Sequence, residues 1–166
     1  MKNFFLLFLV TIFTACASTP KGTYKEQATP KFANTKDFNE KPEEVRRAAK
    51  VVLEELTQAS EPPASKKVHE DGDTLRTGWV YGTSRDKYVE YKHNGTPRRK
   101  ALAVRRQYAY TISPGLGGSQ VIISLEEEVE DVDLNTGENQ GWKNAAPDQA
   151  IYDQMLRKLR EKIRAL

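Results

Sequence analysis

The sequence predicts an α+β fold: a two-layer antiparallel sheet of three to four strands covered by an N-terminal and a C-terminal amphipathic helix. Apolar residues recur at helical spacing after residue 42 and again near the end of the chain, and they alternate along the segments between. A sheet with one apolar face needs a cover, which two amphipathic helices provide. We therefore assign residues 42–166 to one domain of ordinary size.

The first helix is predicted to begin at Pro42, because a proline in the first turn loses no hydrogen bond. Glu43 and Glu44 suit the positive end of the helix dipole. The pair Pro62 and Pro63 predicts that the helix has ended by then. The predicted apolar stripe consists of Val45, Ala48, Ala49, Val52 and Leu56.

The segments after this helix carry the strand pattern. Residues 65–69 are a weak strand candidate, and residues 70–73 predict a turn. Residues 74–82 alternate, which predicts that Leu75, Thr77, Trp79 and Tyr81 share one face. Residues 83–98 have little apolar pattern, and Asn94-Gly95 favours a hairpin turn, so we expect a short flap there.

The clearest strand is predicted over residues 100–112, with an apolar face that Arg106 interrupts. A glycine-rich turn at residues 114–118 leads to a second strand over residues 120–129, and the two should form an antiparallel hairpin. Residues 135–139 predict another turn, and Trp142 is expected in the loop that follows. Pro147-Asp148 opens the last helix, whose apolar positions are Tyr152, Met155, Leu156, Leu159, Ile163 and Leu166.

The first fifteen residues have the three parts of a secretory signal: Lys2, an apolar stretch over residues 4–13, and the small pair Thr14-Ala15. Ten helical residues rise only about 15 Å, half the thickness of a hydrocarbon core, so a transmembrane helix is disfavoured. Cys16 follows directly and is the single cysteine of the chain. An ordinary signal followed by an incidental cysteine is the alternative.

Phe13-Thr14-Ala15-Cys16 resembles a bacterial lipobox, with Phe13 where the family has Leu. The resemblance implies that signal peptide 1–15 is removed and that Cys16 carries diacylglyceryl and palmitate-type acyl chains, enough for stable anchoring. Ala17 in the next position implies sorting to the outer membrane, with the domain facing the periplasm. Residues 16–41 then comprise the lipidated cysteine and a flexible tether, because apolar residues are sparse there.

The charge balance of 26 basic and 23 acidic residues gives a net charge of +3, which does not favour nucleic acid. The basic residues 98–100 and 105–106 either contact anionic lipid or an acidic partner, or pair with the acidic residues 126–131 across the hairpin, which we favour. The two histidines are far apart in turn-rich segments, and we expect no metal site, no cofactor and no catalytic residues. Candidate contacts for a partner or ligand are Trp79, Tyr81, Tyr108 and Trp142.

Several short motifs resemble the helix-grip domains of BamC-like bacterial outer-membrane lipoproteins. They are Phe38, residues 42–45, Asp73, residues 77–80, and the last helix with Tyr152, Met155, Leu156 and Leu159. The resemblance implies an accessory lipoprotein of outer-membrane β-barrel assembly without enzymatic activity.

We therefore expect a non-catalytic lipoprotein, attached to the membrane through Cys16, that binds a protein partner in the envelope. The alternative is a periplasmic lipid- or peptide-binding lipoprotein with a cleft between sheet and helix. The two hypotheses differ in what they require: an adaptor needs an exposed apolar patch or sheet edge, whereas a ligand binder needs an enclosed apolar cavity near Trp79, Tyr81 and Tyr108.

Overall fold

The computed structural model describes residues 34–58, 60 and 68–166. This part of the chain contains two helices and seven strands, in the order β1 (Thr35–Phe38), α1 (Pro42–Gln58), β2 (His69–Asp71), β3 (Thr74–Arg76), β4 (Val80–His93), β5 (Thr96–Gly115), β6 (Gly118–Val132), β7 (Asn139–Ala145) and α2 (Gln149–Arg164). All strand pairs are antiparallel. The α+β class is confirmed, but the sheet has more strands than the three to four predicted.

Strands β5 and β6 form the centre of the sheet. They pair from Val104 opposite Val129 to Gly115 opposite Gly118, and both are longer than predicted. The turn between them falls in the predicted glycine-rich segment, where Gly117 has a φ of 85°. A positive φ is readily adopted by glycine, which explains this residue in the tight connection.

Each central strand has two different neighbours along its length. In what we call the upper half, β5 pairs with β3, β6 pairs with β1, and β2 extends the sheet beyond β3. In the lower half, β5 pairs with β4 and β6 pairs with β7. The two halves share the long hairpin, so a side chain's position along β5 or β6 decides which half it belongs to.

Both helices pack against one face of the upper half. Residues of α1, α2, β3, β5 and β6 form a single apolar cluster, which includes Val45, Leu53, Leu75, Tyr110, Ile123, Met155 and Leu159. The Tyr110 hydroxyl donates a hydrogen bond of 2.9 Å to the Met155 carbonyl, which joins the sheet to α2. Burial raises the pKa of Tyr110 well above its ordinary value.

Both predicted helices are confirmed. Helix α1 begins at Pro42, and α2 has Asp148 as its N-cap, where the carboxylate accepts a 3.0 Å hydrogen bond from the Ala150 N–H. Glu55 of α1 lies 2.5 Å from Lys162 of α2, and the helices are held together by this ion pair in addition to their apolar contacts. The prolines predicted to stop α1 lie outside the described residues.

A second, smaller apolar cluster fills the lower half, with Val89, Leu102, Val104, Val129 and Val132 buried. Beyond Val129, strand β6 no longer pairs with β5. The turn after β6 returns to β4 instead, where the Lys92 N–H donates a 3.1 Å hydrogen bond to the Leu134 carbonyl. Within the lower half, β4 is thus bonded to the turn that follows β6.

Three strands lie where the sequence predicts none, wholly for β1 and β7 and beyond Gly82 for β4, and the predicted turn at residues 70–73 is shorter because Glu70 and Asp71 belong to β2. Strand β1 falls within residues 16–41, which were assigned to the tether, so the folded domain begins before Pro42. The expected flap at residues 83–98 is part of the β4–β5 hairpin, whose register shifts between Thr83 and Tyr88, and its predicted Asn94-Gly95 turn is confirmed. The expected loop around Trp142 is strand β7. Each of these three strands pairs with one neighbour only and exposes many of its side chains. Few of their positions therefore have to be apolar, and the sequence shows little apolar alternation there.

Candidate functional site

Between β3 and β4 the chain contains an irregular segment, residues 77–79, that changes which face the side chains occupy. Leu75 is opposite Tyr110 and Val80 is opposite Arg106, so this connection has one residue more than β5. Thr77 bridges the break: its N–H donates to the Tyr108 carbonyl at 2.9 Å, and its hydroxyl accepts from the Tyr108 N–H at 3.1 Å. The extra residue acts as a β-bulge.

The bulge separates residues that were predicted to lie on one face. Leu75 and Val80 both belong to the helix-covered apolar cluster, whereas Tyr81 is opposite Arg105 on the other face. The prediction that Leu75, Trp79 and Tyr81 share a face is therefore wrong. The consequence for function is that Trp79 and Tyr81 are available on the face that the two helices do not cover.

Arg105 brings the aromatic residues of this face together. Its guanidinium lies 4.6 Å from the ring centre of Trp79 and 4.7 Å from that of Trp142. The rings of Tyr81 and Trp142 meet edge to face with their centres 5.9 Å apart. We call Trp79, Tyr81, Arg105 and Trp142 the aromatic–arginine site. Three strands and the bulge contribute to it, so it exists only in the folded sheet.

The guanidinium of Arg105 is fixed in place by more than the rings. Its Nε donates a 2.5 Å hydrogen bond to Glu128 directly opposite on β6. The Arg105 side chain keeps 22% of its surface exposed, and both tryptophans and Tyr81 are half-buried. A stacked cation contributes roughly 0.5–1 kcal/mol at exposed sites, and more where water is excluded. The site is thus a partly exposed patch of aromatic and guanidinium surface on the face that the helices do not cover.

Tyr108 does not belong to this site. It is three residues along β5 from Arg105, which puts its side chain on the opposite face, within the helix-covered cluster. Burial raises the pKa of the Tyr108 hydroxyl, and the neighbouring Arg106 opposes this shift. The structure therefore brings together three of the four predicted contact residues, Trp79, Tyr81 and Trp142, while Tyr108 contributes to packing. Cys16 lies outside the described residues.

The predicted pairing of the basic and acidic segments across the hairpin is confirmed. Arg105 is bonded to Glu128, Arg106 is bonded to Glu127 at 2.5 Å, and Lys100 is bonded to Glu130 at 2.6 Å. These contacts pair most of the basic stretch with glutamates of β6. The exceptions are Arg98 and Arg99, at the start of β5, which are exposed.

Glu127 holds two cations. Besides Arg106 it accepts a 2.5 Å hydrogen bond from Lys87, and its side chain has no solvent exposure. A bulge at residues 84–87 brings Lys87 into position, and the Ser84 hydroxyl donates to Asp86 there at 2.7 Å, which lowers the pKa of that carboxyl. This charged group of Lys87 on β4, Arg106 on β5 and Glu127 on β6 lies between the residues of the two apolar clusters, at the junction of the halves.

The described residues also line a small pocket of about 140 Å³ between β1, β6 and α2. Its lining includes Asn34, Lys36, Ile123, Gln149, Tyr152, Asp153 and Leu156. In this part of the chain, no three His, Cys, Asp or Glu side chains are grouped to hold a metal ion. No helix within the described ranges is both long and apolar enough to cross a bilayer.

Comparison with protein-family models and with curated proteins finds no match to this chain. Inferences about function therefore come from the arrangement of this chain's own side chains. The sequence indicates the aromatic members of the site but not Arg105 as its centre, because charge alone suggests only pairing across the hairpin or contact with anionic lipid or an acidic partner, and not stacking on aromatic rings.

Proposed function

We propose that this protein is a non-catalytic lipoprotein, anchored to the outer membrane through Cys16, whose domain faces the periplasm and acts as an envelope adaptor. The signal at residues 1–15 and the lipobox-like residues 13–16 support the anchor. The aromatic–arginine site supports the adaptor role and is the observation that carries it. As its specific form we propose an accessory role in outer-membrane β-barrel assembly.

The composition of the site is that of a protein-binding hot spot. Trp, Tyr and Arg are the residue types most enriched among side chains that dominate binding energy at interfaces. Their rings and guanidinium are already packed together, and the ion pair with Glu128 holds Arg105 in place, so little side-chain entropy remains to be lost on binding.

The proposed relation to BamC-like lipoproteins includes the two-layer, helix-grip-like arrangement of the domain. Contacts of both helices with the upper half of the sheet support this arrangement. The alternative function, a lipid- or peptide-binding lipoprotein, is favoured by the pocket between the sheet and α2. We prefer the adaptor because a volume of about 140 Å³ is below the roughly 300 Å³ of ordinary ligand pockets.

The anchor is tested by metabolic labelling with radioactive palmitate in a Gram-negative host. We expect the label to enter the wild-type protein and not the Cys16→Ser variant, which should also leave the membrane fraction. Absence of label from the wild type, or equal membrane attachment of the variant, contradicts the proposal.

The adaptor role is tested by purification of the lipoprotein from crosslinked cells. We expect barrel-assembly proteins to be recovered with the wild type and lost with Trp142→Ala. The matched control is Tyr88→Ala, which removes a half-buried aromatic ring on β4 outside the site. Circular dichroism checks that both variants are folded. Equal recovery with the two variants contradicts the role of the site, and failure to recover these proteins with the wild type contradicts the specific form.

A further inference from the structure

The tip of the β4–β5 hairpin is the most basic exposed part of the described chain that is not used in internal ion pairs. Every residue from 92 to 99 is exposed, and the segment contains Lys92, His93, Arg98 and Arg99 without an acidic residue. Asn94 and Gly95 adopt φ values of 49° and 75°, which makes the connection a tight two-residue turn. We call residues 92–99 the basic tip.

The ion pairs of the sheet distinguish the basic tip from the other cations of β5. Lys100, Arg105 and Arg106 are each bonded to a glutamate of β6. Within the described residues, Lys92 and Arg98 form no ion pair, and Arg99 stacks on the Tyr88 ring with its guanidinium 3.4 Å from the ring centre. Glu90 is directly opposite Arg99 on β4 but forms no ion pair within the described residues, so the tip keeps a net positive charge.

The hairpin is held rigidly up to the point where the basic tip begins. The Lys92 N–H is bonded to Leu134, and the Tyr91 ring packs so tightly on Gly137 that a side chain there would overlap it. The tip thus projects from a fixed base. An exposed group of cations in excess over the neighbouring Glu90 fits a surface of repeated negative charge.

We propose that the basic tip binds anionic phospholipid headgroups. This inference depends on the proposed anchor, which makes the bilayer the anionic surface nearest to the domain. The chain between Cys16 and Asn34 reaches at most about 60 Å when fully extended. At roughly 3.3 Å per residue, the tip is about 50 Å along β5 from the residues opposite β1. The extended chain between Cys16 and Asn34 is at least as long as this distance, so an anchored domain can bring the tip to the bilayer. Each Lys or Arg near an anionic surface strengthens binding about fivefold, so three give roughly 100-fold.

The test uses the lipidated full-length protein in vesicles. Because acylation blocks Cys16, a Thr96→Cys variant offers one free thiol at the tip for a fluorophore and keeps the Asn94-Gly95 turn. Nitroxide lipids report its distance from the headgroups by quenching. We expect strong quenching in vesicles that contain phosphatidylglycerol and weak quenching in phosphatidylcholine alone. The triple variant K92Q/R98Q/R99Q should lose the strong quenching. In the protein that keeps these three cations, added salt should weaken the quenching.

The matched control is R157Q/R160Q/R164Q, which removes the same charge from exposed positions of α2. It should retain the quenching. Equal loss in the two triple variants, or no dependence on phosphatidylglycerol, overturns the proposal. Binding of a soluble acidic polypeptide as strongly as the vesicles would also overturn it, in favour of an acidic protein partner.

Failure of the anchor is recognised separately, because the protein then does not float with the vesicles and a second thiol becomes labelled. In that case the unanchored protein is titrated with the same vesicles. The tip variant must then bind about 100-fold more weakly than the α2 variant, and equal affinities overturn the proposal.

Discussion

Glu127 is the only anion within hydrogen-bond distance of Lys87 and Arg106 among the described ion pairs, and its replacement by Gln tests how much this buried group of charges stabilises the fold. Both cations lie 2.5 Å from its carboxylate oxygens. The Glu127 side chain is fully buried, whereas Lys87 and Arg106 keep 15% and 23% of their side-chain surfaces exposed. The substitution keeps the shape of the side chain and removes its charge.

The expected cost follows from the charges left behind. Removal of one partner of a buried ion pair usually costs about 3–5 kcal/mol, because the other charge remains without compensation. Lys87 and Arg106 can turn partly toward water, so the lower end of this range applies. We therefore expect Glu127→Gln to reduce the free energy of unfolding by about 3 kcal/mol. Replacement of all three residues by apolar ones, K87M/R106L/E127L, should restore most of the loss since no unpaired charge remains.

Urea denaturation followed by circular dichroism measures the effect. With a slope of about 2 kcal/mol per M, a loss of 3 kcal/mol lowers the midpoint by roughly 1.5 M. The control is Glu126→Gln, the exposed neighbour on the opposite face of β6, which should change stability by less than about 0.5 kcal/mol. If E127Q and E126Q have the same midpoint, or if the triple apolar variant is less stable than E127Q, the reasoning is refuted.

Three further outcomes test other parts of the fold. Thr77→Val should cost about 1–3 kcal/mol in urea denaturation, because the buried Tyr108 N–H loses its acceptor, while Thr77→Ser should cost less. Gly137→Ala should lower the melting temperature, since its φ is 78° and the added carbon would lie 2.3 Å from the Tyr91 ring; Gly82→Ala, with open space, should not. The hydrogen bond from Lys162 of α2 lowers the pKa of Glu55 below its ordinary value. The stability that this carboxylate contributes is therefore fully present above the pKa of about 4.3 that it has in the unfolded chain, and it is lost as the pH falls through the lowered pKa of the folded state. Glu55→Gln should therefore flatten the acid limb of the stability profile, and an unchanged limb would contradict the bridge between the helices.

The elements predicted correctly are those whose burial leaves a period in the sequence. Both helices, the long β5–β6 hairpin and the Asn94-Gly95 turn follow from apolar spacing or from residues with special backbone preferences. Strands β1 and β7 are held by main-chain pairing with β6. Alternate side chains of β1 and most side chains of β7 are exposed. Pairing of this kind needs no alternating pattern, so periodicity could not reveal it.

The candidate site was only partly predictable for a related reason. Alternation along residues 74–82 assumes an uninterrupted strand, and the single extra residue near Thr77 reverses it for Trp79 and Tyr81. A bulge of this kind depends on the partner strand, whose register the local sequence does not contain. Tyr108 lies on the other face from Trp79 and Tyr81, and an aromatic side chain in the sequence does not by itself indicate which face of the sheet it occupies.

Arg105 and Arg106 illustrate how the fold gives identical neighbours different functions. Each is paired with a glutamate opposite on β6, so charge alone does not distinguish them. Strand alternation points Arg106 into the junction of two apolar clusters, where its ion pair is structural. The same alternation points Arg105 to the uncovered face, where the bulge before β4 has placed Trp79 and where β7 provides Trp142. Because the bulge moves the aromatic rings across while leaving the register of β5 and β6 unchanged, one inserted residue is sufficient to turn an ordinary cross-strand pair into the centre of a surface site.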